Sequence, residues 1–486
     1  MSLKHNEHAQ SGPVGLAFDS TNYTDVSFFV GDEPINARAY ENIIYVSKPT
    51  DPEHQIINIY IPEAYFEGKP LGGFTAETAP IYFPNAISLY LPAIPLKPRI
   101  SKRTGMPNAS LVALSKGYIV ASPGVRGRSS QAVDGRYTGK APACVVDMKA
   151  AVRYLRHNDK RIPGDTEKII ADGFSAGGAV SALLGSTGNN REYARYLEEA
   201  GAAEARDDVF AASCYCPVHN LERLDIGYEW QYEGVLEYGF REVTGTLTDD
   251  HVRIAEELRA QYPPYINSLG LKAFDHASTA GAGLPRAAGQ LKEGSLLLLD
   301  DSGNGSYRDF TKSLLIASAQ RALNDGKDLS GCDWLSISAD GHVADFDFAS
   351  HKKTLRRLLP PPGFDNPDRS SAECELFGTE TINARHYTPE GLKYGDPGGS
   401  MVDGEALRLM NPVNYIGFPG NSPAKHWRVR HGTRDFSNIL TNPVILAVIL
   451  QNRGFEVDCA FAWDQAHGGD YDLDELFAWT DKICGL

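Results

Sequence analysis

A serine with a glycine two residues away on each side lies in residues 173 to 178, which read GFSAGG. The preceding segment EKIIAD has the pattern of a strand, and the following AVSALLG has the small-residue pattern of a helix. A sharp turn between a strand and a helix can expose a serine hydroxyl, and the glycines prevent side-chain clashes there. This context predicts that Ser175 is a nucleophile and that the backbone N–H of Ala176 binds an oxyanion.

A serine nucleophile needs a histidine base and a carboxylate that orients the histidine. His467 lies in AWDQAHGGDYDL, between the last predicted strand and the last predicted helix, and Asp435 directly follows the predicted strand HWRVRHG. Asp458 and Asp464 are weaker alternatives, because the first lies inside a strand pattern and the second is placed to cap its own loop. We therefore predict His467 as the general base and then acid, and Asp435 as the residue that fixes the imidazole tautomer.

A second oxyanion donor commonly comes from the loop after an early strand, which here is PNAISLYLP, residues 84 to 92. The backbone N–H of Ser88 or Leu89 is the predicted donor. The sequence shows no metal-ligand cluster and no phosphate-binding glycine loop, and its seven cysteines are scattered. We expect free thiols, no structural metal and no cofactor.

Strand patterns alternate with helix patterns through the first 220 residues, which predicts a mainly parallel central sheet flanked by helices. The alternation stops at about residue 222 and resumes near residue 411. We predict a core in two parts, residues 1–221 and 411–486, with residues 222–410 inserted as a lid. The predicted strands cover residues 57–63, 79–85, 117–125, 167–173, 207–217, 426–432 and 456–463.

The composition is that of a globular protein, with 42% hydrophobic and 22% charged residues among 486. A net charge of −15 argues against nucleic acid as a partner, because phosphate binding depends on lysine and arginine. The N-terminus lacks an apolar leader segment, and no stretch is apolar enough to span a bilayer. We expect a cytoplasmic protein, unless a leader has been removed, with neither nucleic acid nor a membrane as a partner. Its oligomeric state is not indicated.

Nine segments spread over most of the chain together form a recognisable pattern. They are PNAISLYLP, GVRGR, PACVVDMKAAVRYLRHN, RIPGD, GFSAGGAVSALLG, SCYCPVHNLE, YEWQY, KHWRVRHG and AWDQAHGGDYDLDELFAW. Through these segments the chain resembles the bacterial tannases, serine esterases of the α/β-hydrolase fold that cleave galloyl esters. This resemblance implies the same fold, a lid between the sixth and seventh strands, and a catalytic triad at Ser175, Asp435 and His467. It also implies a small-molecule ester substrate with an aromatic or phenolic acyl group and an acyl-serine intermediate.

The chain departs from the family in two places. The family has a Gly-Gly pair where this chain has Ser88 and Leu89. In the acyl pocket of the tannases, a lysine, a glutamate and an aspartate contact the three phenolic hydroxyls of gallate. By alignment these positions fall on Leu359, Glu373 and Ser437, so only the glutamate is retained. A pocket that has lost a cation and a carboxylate cannot bind three hydroxyls in the same way, which argues against strict gallate specificity.

Two other functions remain open at the level of the sequence. A serine peptidase of the same fold would use the same triad on amides. A catalytically silent protein of this fold would bind a ligand without turning it over. Fluorophosphonate labelling distinguishes the silent protein from both enzymes.

Overall fold

The computed structural model describes residues 14–31, 33–102, 105–240, 242–275, 291–355 and 357–486. In these residues one large sheet is accompanied by two small ones. The strands are β1 (Thr24–Val30), β2 (Glu33–Ile44), β3 (Ile56–Pro62), β4 (Pro80–Pro84), β5 (Ile119–Pro123), β6 (Asp165–Phe174), β7 (Ala211–Tyr215), β8 (Glu237–Phe240), β9 (Val243–Thr246), β10 (Leu335–Ile337), β11 (Val343–Phe346), β12 (His426–Gly432) and β13 (Glu456–Ala462).

The helices alternate with the strands of the large sheet at both ends of the chain. No helix among the described residues is both long and apolar enough to cross a bilayer. The helices are α1 (Glu63–Phe66), α2 (Ala109–Ser115), α3 (Ala143–His157), α4 (Ala176–Ser186), α5 (Ala194–Ala200), α6 (Leu224–Gln231), α7 (Asp249–Arg259), α8 (Tyr262–Ser268), α9 (Ser306–Asn324), α10 (Phe348–Thr354), α11 (Ala372–Leu376), α12 (Pro389–Tyr394), α13 (Gly404–Leu409), α14 (Thr441–Asn452) and α15 (Leu473–Cys484).

The large sheet has nine strands in the order β1-β2-β3-β5-β4-β6-β7-β12-β13. Strands β5, β4, β6, β7, β12 and β13 are parallel, whereas β1, β2 and β3 form an antiparallel edge. Every residue of β3, β4, β5 and β7 is buried, as expected for strands covered by helices on both faces. The predicted mainly parallel sheet flanked by helices is therefore confirmed.

All seven predicted strands are present, but β1 and β2 were missed. Their half-exposed segments TDVSFFV and EPINARAYENII mix polar and apolar residues, which gives a weaker pattern than the apolar parallel strands. They pair along their length as a hairpin, from Thr24 opposite Ala39 to Val30 opposite Glu33. With β1 and β2 included, seven strands of the large sheet precede the inserted segment in the chain.

The inserted segment between β7 and β12 adds no strand to the large sheet among the described residues. It forms the separate hairpins β8-β9 and β10-β11, and its helix α9 packs against the edge strand β13. The rings of Trp334 in the insertion and Trp463 after β13 lie 5.3 Å apart. The insertion thus packs against β13 and against the loop that follows this strand. Its limits at residues 222 and 410 stay a prediction.

Candidate active site

The Ser175 backbone has a left-handed conformation, with φ 60° and ψ −126°. Such a conformation is rare for a residue with a side chain and costs about 1–3 kcal/mol. The turn needs glycines on both sides of Ser175, because neighbouring atoms leave no room for a side chain at these positions. A Cβ on Gly173 would lie 2.4 Å from Asn85 Nδ2, and one on Gly178 would lie 2.5 Å from the Tyr215 carbonyl oxygen. The strand-turn-helix context of GFSAGG is thus confirmed.

The end of β7 holds the turn in place. The Ser175 N–H donates to the Tyr215 carbonyl over 2.9 Å, and the Ser175 carbonyl accepts from the Val218 N–H over 3.2 Å. Ala176 begins α4, so its N–H is one of those that a helix leaves without an intrahelical acceptor. An oxyanion beside Ser175 could use this donor.

A chain of hydrogen bonds joins the three residues predicted to form a triad. His467 Nε2 lies 2.8 Å from Ser175 Oγ, and His467 Nδ1 lies 2.8 Å from Asp435 Oδ2. The other oxygen of Asp435 accepts from the backbone N–H groups of Ser437 and Asn438, over 2.9 and 3.2 Å. Asp435 is fully buried, whereas His467 is partly exposed. The arrangement can transfer a proton from the serine hydroxyl to the imidazole.

The loop that carries His467 is bound to the loop that carries Asp435. The Asp464 N–H donates to Thr433 Oγ1 over 2.8 Å, and the Arg434 N–H donates to the Gln465 carbonyl over 2.9 Å. A Cβ on Gly432 would lie 2.1 Å from the same Gln465 oxygen, so a larger residue would separate the loops. Both loops follow neighbouring parallel strands, β12 and β13, which explains why they meet.

The environment of Asp435 keeps it ionised. Burial by itself would raise the pKa of Asp435, but His431, His467 and the Ser437 N–H together lower it below its ordinary value. Burial lowers the pKa of His431 to about 4, so this second histidine is neutral near pH 7. His431 Nδ1 lies 3.7 Å from Asp435 Oδ2, beyond hydrogen-bond distance. Asp435 therefore remains available to orient His467.

The alternative carboxylates lie elsewhere. Asp458 forms an ion pair with Arg430 over 2.9 Å, and Asp464 forms an exposed one with Arg434 over 3.1 Å. Neither is hydrogen-bonded to His467, whose Nδ1 contacts Asp435.

The predicted oxyanion loop lies against the start of α4. The Gly177 N–H donates to the Ile87 carbonyl over 3.1 Å, which places the following Ser88 and Leu89 near the Ser175 turn. Both residues are exposed, Leu89 by 49% of its surface. Leu89 and Tyr90 have φ of 51° and 54°, a conformation that favours glycine. The loop thus has positive φ angles, although this chain lacks the Gly-Gly pair that the tannases have at this place.

Arg128 connects this loop to the insertion and was not predicted as a site residue. Its Nε donates to the Leu89 carbonyl over 2.9 Å, and its backbone N–H donates to the Tyr90 carbonyl over 2.7 Å. Its guanidinium also forms an ion pair with Glu375 of α11. Its position in the motif GVRGR was the only sequence feature that could have pointed to Arg128. The contacts themselves could not be predicted, because Leu89, Tyr90 and Glu375 lie far from Arg128 in the chain.

Two of the three predicted acyl-pocket residues, Glu373 and Leu359, lie near Asp225 of α6. Glu373 on α11 is buried, with only 8% of its surface exposed. Leu359 lies beside Gly363, where a Cβ would come within 3.3 Å of the Leu359 Cβ, and the Gly363 N–H donates to Asp225 of α6. Burial raises the pKa of Glu373 to about 7, and the charge of Asp225 adds to the rise. Ser437 instead lies next to Asp435, to which its backbone N–H donates.

Two buried groups of three side chains could in principle hold a metal ion within the described residues. They are Cys216, His431 and Asp435, and Asp365, Cys374 and His386. Sequence spacing did not reveal either group. In the first, Asp435 is already hydrogen-bonded to His467. In the second, Asp365 Oδ1 accepts from Cys374 Sγ and lies 2.8 Å from His386 Nδ1. Hydrogen bonds within the protein therefore account for both groups.

The fold and the site define a serine hydrolase of the α/β-hydrolase type. Residues 99–216 match the family model BD-FAE. The tannase of Fusobacterium nucleatum is 40% identical over 97% of this chain and 99% of its own, with a TM-score of 0.90. The tannase of Lactobacillus plantarum is 37% identical over 97% of this chain and 100% of its own, with a TM-score of 0.89. No curated protein matches the chain.

A third similar structure is a tannin acyl hydrolase in complex with ethyl gallate. It is 38% identical over 96% of this chain and 99% of its own, with a TM-score of 0.88. The chain belongs to the tannase family and is a carboxylic-ester hydrolase. The family predicted from the sequence is thereby confirmed, and a catalytically silent protein is not supported.

Glu373→Gln should remove part of the pH dependence of the unfolding free energy. Because the pKa of Glu373 rises from 4.5 to about 7 on folding, its contribution to stability is fully present below pH 4.5 and is lost as the pH rises through 7. The whole loss is about 3 kcal/mol. Glutamine cannot ionise. Between pH 4.5 and 8, the unfolding free energy of the variant should therefore rise by about this much relative to that of the wild type.

Urea unfolding at a series of pH values measures this difference. Glu380→Gln, at a position that is mostly exposed in the same insertion, is the matched control and should follow the wild type. Parallel stability curves for wild type and Glu373→Gln would contradict the assignment.

Proposed function

We propose that the protein hydrolyses esters of aromatic or phenolic acids through an acyl-enzyme at Ser175. The observation that carries the proposal is the chain of hydrogen bonds from Asp435 through His467 to Ser175, with both histidine contacts at 2.8 Å. Structural relatives of the chain were solved with ethyl gallate and with 3,4-dihydroxybenzoate, both of which carry a phenolic acyl group. No observation favours a peptide substrate.

In the proposed reaction, Ser175 Oγ attacks the ester carbonyl while His467 Nε2 takes its proton. Asp435 holds the proton on His467 Nδ1 and stabilises the imidazolium that forms. The Ala176 N–H and an N–H from Ser88 or Leu89 donate to the oxyanion of the tetrahedral intermediate. Collapse of this intermediate breaks the ester bond, and the alcohol leaves with the proton from His467. Water then attacks the acyl-serine by the same route, which releases the acid and restores Ser175.

Arg128 is proposed as a positioning residue for this reaction. Leu89 and Tyr90 have positive φ angles, which are unfavourable for residues other than glycine. Arg128 donates hydrogen bonds to the carbonyls of both residues and so supports this conformation. The ion pair of Arg128 with Glu375 fixes the same side chain from the insertion. A displaced loop would move an oxyanion donor, and small displacements of this kind are costly to the rate.

The acyl pocket of this chain supports recognition of an aromatic ring more than recognition of three hydroxyls. Glu373 can hydrogen-bond to a phenolic hydroxyl, and its raised pKa allows it to donate as well as accept near pH 7. Leu359 offers only apolar surface, and Ser437 offers a neutral hydroxyl in place of a carboxylate. We therefore propose an acyl specificity broader than gallate.

Ser175→Ala should lower kcat for an aryl ester by about four orders of magnitude or more, because the nucleophile is lost. Asp435→Asn should lower kcat by about 10⁴-fold through the wrong histidine tautomer. Hydrolysis of a nitrophenyl ester measures both. The control is Asp464→Asn, which removes the alternative carboxylate and should keep most of the activity. If Ser175→Ala kept full activity, or were still labelled by a fluorophosphonate, the assignment of Ser175 as the nucleophile would be wrong.

Arg128→Met should lower kcat by about tenfold or more with a smaller change in KM, because the oxyanion loop loses its support. Arg128→Lys keeps a charge for Glu375 and should recover part of the rate. Arg136→Met is the control, since Arg136 forms an exposed ion pair with Asp134. Initial rates and thermal unfolding are measured together. A lower unfolding temperature with an unchanged kcat would mean that Arg128 is only structural.

The kcat/KM of methyl gallate should exceed that of methyl benzoate by less than about 100-fold, because only Glu373 remains to bind hydroxyls. Introducing Leu359→Lys together with Ser437→Asp should raise this ratio at least about tenfold. A matched double variant at exposed positions of the insertion, Leu392→Lys with Ser330→Asp, should leave the ratio unchanged. A wild type with a strong preference for gallate would show that other residues bind the hydroxyls.

A further inference from the structure

A buried lysine of the core, Lys140, contacts the insertion at the helix that carries Glu373. Lys140 lies three residues before α3 and is only 8% exposed. Its ammonium group donates to the backbone carbonyls of Glu375 and Asn383, each over 2.8 Å, and to Asn383 Oδ1 over 3.1 Å. An ammonium group has three N–H donors, so all of them are used, and each one binds the insertion.

The surroundings of Lys140 are unusual for a buried cation. Within the described residues its hydrogen bonds go to two carbonyls and one side-chain amide, and none goes to a carboxylate. Burial, together with the positive charge of Arg128 nearby, lowers the pKa of Lys140 to about 8. The centre of the Tyr137 ring lies 4.0 Å from the ammonium nitrogen. Burying a cation without an acid costs free energy, which points to a role beyond stability.

Backbone hydrogen bonds beside Lys140 bind the same part of the insertion. The Ala141 N–H donates to the Leu376 carbonyl over 2.9 Å, and the Tyr137 N–H donates to the Glu380 carbonyl over 2.8 Å. One short segment of the core, with Lys140 in it, is thus bound to the last turn of α11 and to the loop that follows this helix.

Helix α11 is held from two sides. On the side of the insertion, Cys374 Sγ donates to Asp365 Oδ1 over 3.2 Å. On the side of the core, the Glu375 carbonyl accepts from Lys140, and the Glu375 side chain forms an ion pair with Arg128. The position of α11 relative to the core therefore depends on contacts that Lys140 and its neighbours make.

The same contacts fix the position of Glu373. This residue lies two positions before Glu375 in a helix of five residues. Because a helix rises about 1.5 Å per residue, the two residues belong to one turn and move together. Hydrogen bonds weaken steeply when donor and acceptor are misaligned. A small shift of α11 would therefore weaken a hydrogen bond between Glu373 and a bound molecule.

We propose that Lys140 is a positioning residue for the acyl pocket. It fixes α11 to the core, so that the Glu373 carboxyl group is held where a phenolic hydroxyl of the acyl group can bind. This inference rests on the acyl-pocket role proposed above for Glu373. Loss of the Lys140 ammonium group should weaken recognition of hydroxylated acyl groups and have little effect on acyl groups that lack hydroxyls.

Calorimetric binding of 3,4-dihydroxybenzoate and of benzoate to the full chain tests the inference without turnover. Lys140→Met replaces the ammonium group with an apolar end of similar length. It should weaken binding of 3,4-dihydroxybenzoate by about tenfold, the effect of one lost hydrogen bond, and change benzoate binding little. Asn383→Ala, at an exposed position, removes one of the three acceptors and should weaken binding of 3,4-dihydroxybenzoate by about threefold.

Two further variants control for the general effect of losing a lysine. Lys393→Met removes an exposed lysine of the insertion, and Lys149→Met removes a buried lysine of the core that is paired with Asp207. Neither should change the ratio of the two affinities. Thermal unfolding of every variant shows any loss of stability separately. If Lys140→Met did not fold, the milder Asn383→Ala would decide the test.

A double-mutant cycle shows whether Lys140 acts through Glu373. Glu373→Ala should weaken binding of 3,4-dihydroxybenzoate, and Lys140→Met added to it should weaken binding no further, because the positioned group is already gone. Lys140→Arg keeps a cationic donor and should recover part of the affinity. The proposal would be overturned by additive effects, by equal losses for both acids, by unchanged binding in Lys140→Met and Asn383→Ala, or by a wild type without preference for 3,4-dihydroxybenzoate.

Hydrolysis of methyl gallate and methyl benzoate separates this inference from the proposed function. In Lys140→Met the ratio of their kcat/KM values should fall by about tenfold, mainly through a higher KM for methyl gallate. A chain that binds 3,4-dihydroxybenzoate in the expected Lys140-dependent way but hydrolyses neither ester would refute the proposed function and leave the inference intact. A chain that hydrolyses both esters, with the same ratio in wild type and Lys140→Met, would do the reverse.

Discussion

The site depends on the left-handed backbone of Ser175. This conformation costs free energy locally, and it persists because the Tyr215 carbonyl and the Val218 N–H hold the turn from the end of β7. Glycines at 173 and 178 let Asn85 and the β7 backbone approach too closely for any side chain. The strain places the serine hydroxyl above the sheet edge, where two neighbouring loops supply His467 and Asp435. If the turn relaxed, the hydrogen bond from Ser175 to His467 would be lost.

Sheet topology brings the remaining groups to this turn. Strands β6, β7, β12 and β13 are parallel neighbours, so the loops after them emerge at one edge. The His467 loop and the Asp435 loop are bound to each other through Thr433 and Gln465, which fixes the distance between the imidazole and the carboxylate. Burial keeps His431 neutral beside them. The geometry is therefore set by backbone contacts rather than by the triad side chains alone.

The insertion and the core meet beside Ser175. Arg128 connects the predicted oxyanion loop to α11, which carries Glu373. Burial raises the pKa of Glu373 to about 7, because solvent does not stabilise its charge there. This contact therefore joins the loop beside the serine to the helix that carries one of the candidate pocket residues.

The sequence by itself determined the parallel sheet, the inserted segment, and Ser175, Asp435 and His467 as candidates. These follow from local patterns: apolar strands, a glycine-flanked serine, and polar residues directly after strands. Only the tertiary structure decided the hairpin of β1 and β2 and the contacts of Arg128. The side chain of Arg128 bonds to Leu89 and to Glu375, which lie in distant parts of the chain. GFSAGG alone predicts the turn, but hydrogen-bond partners and burial arise only when distant segments pack together.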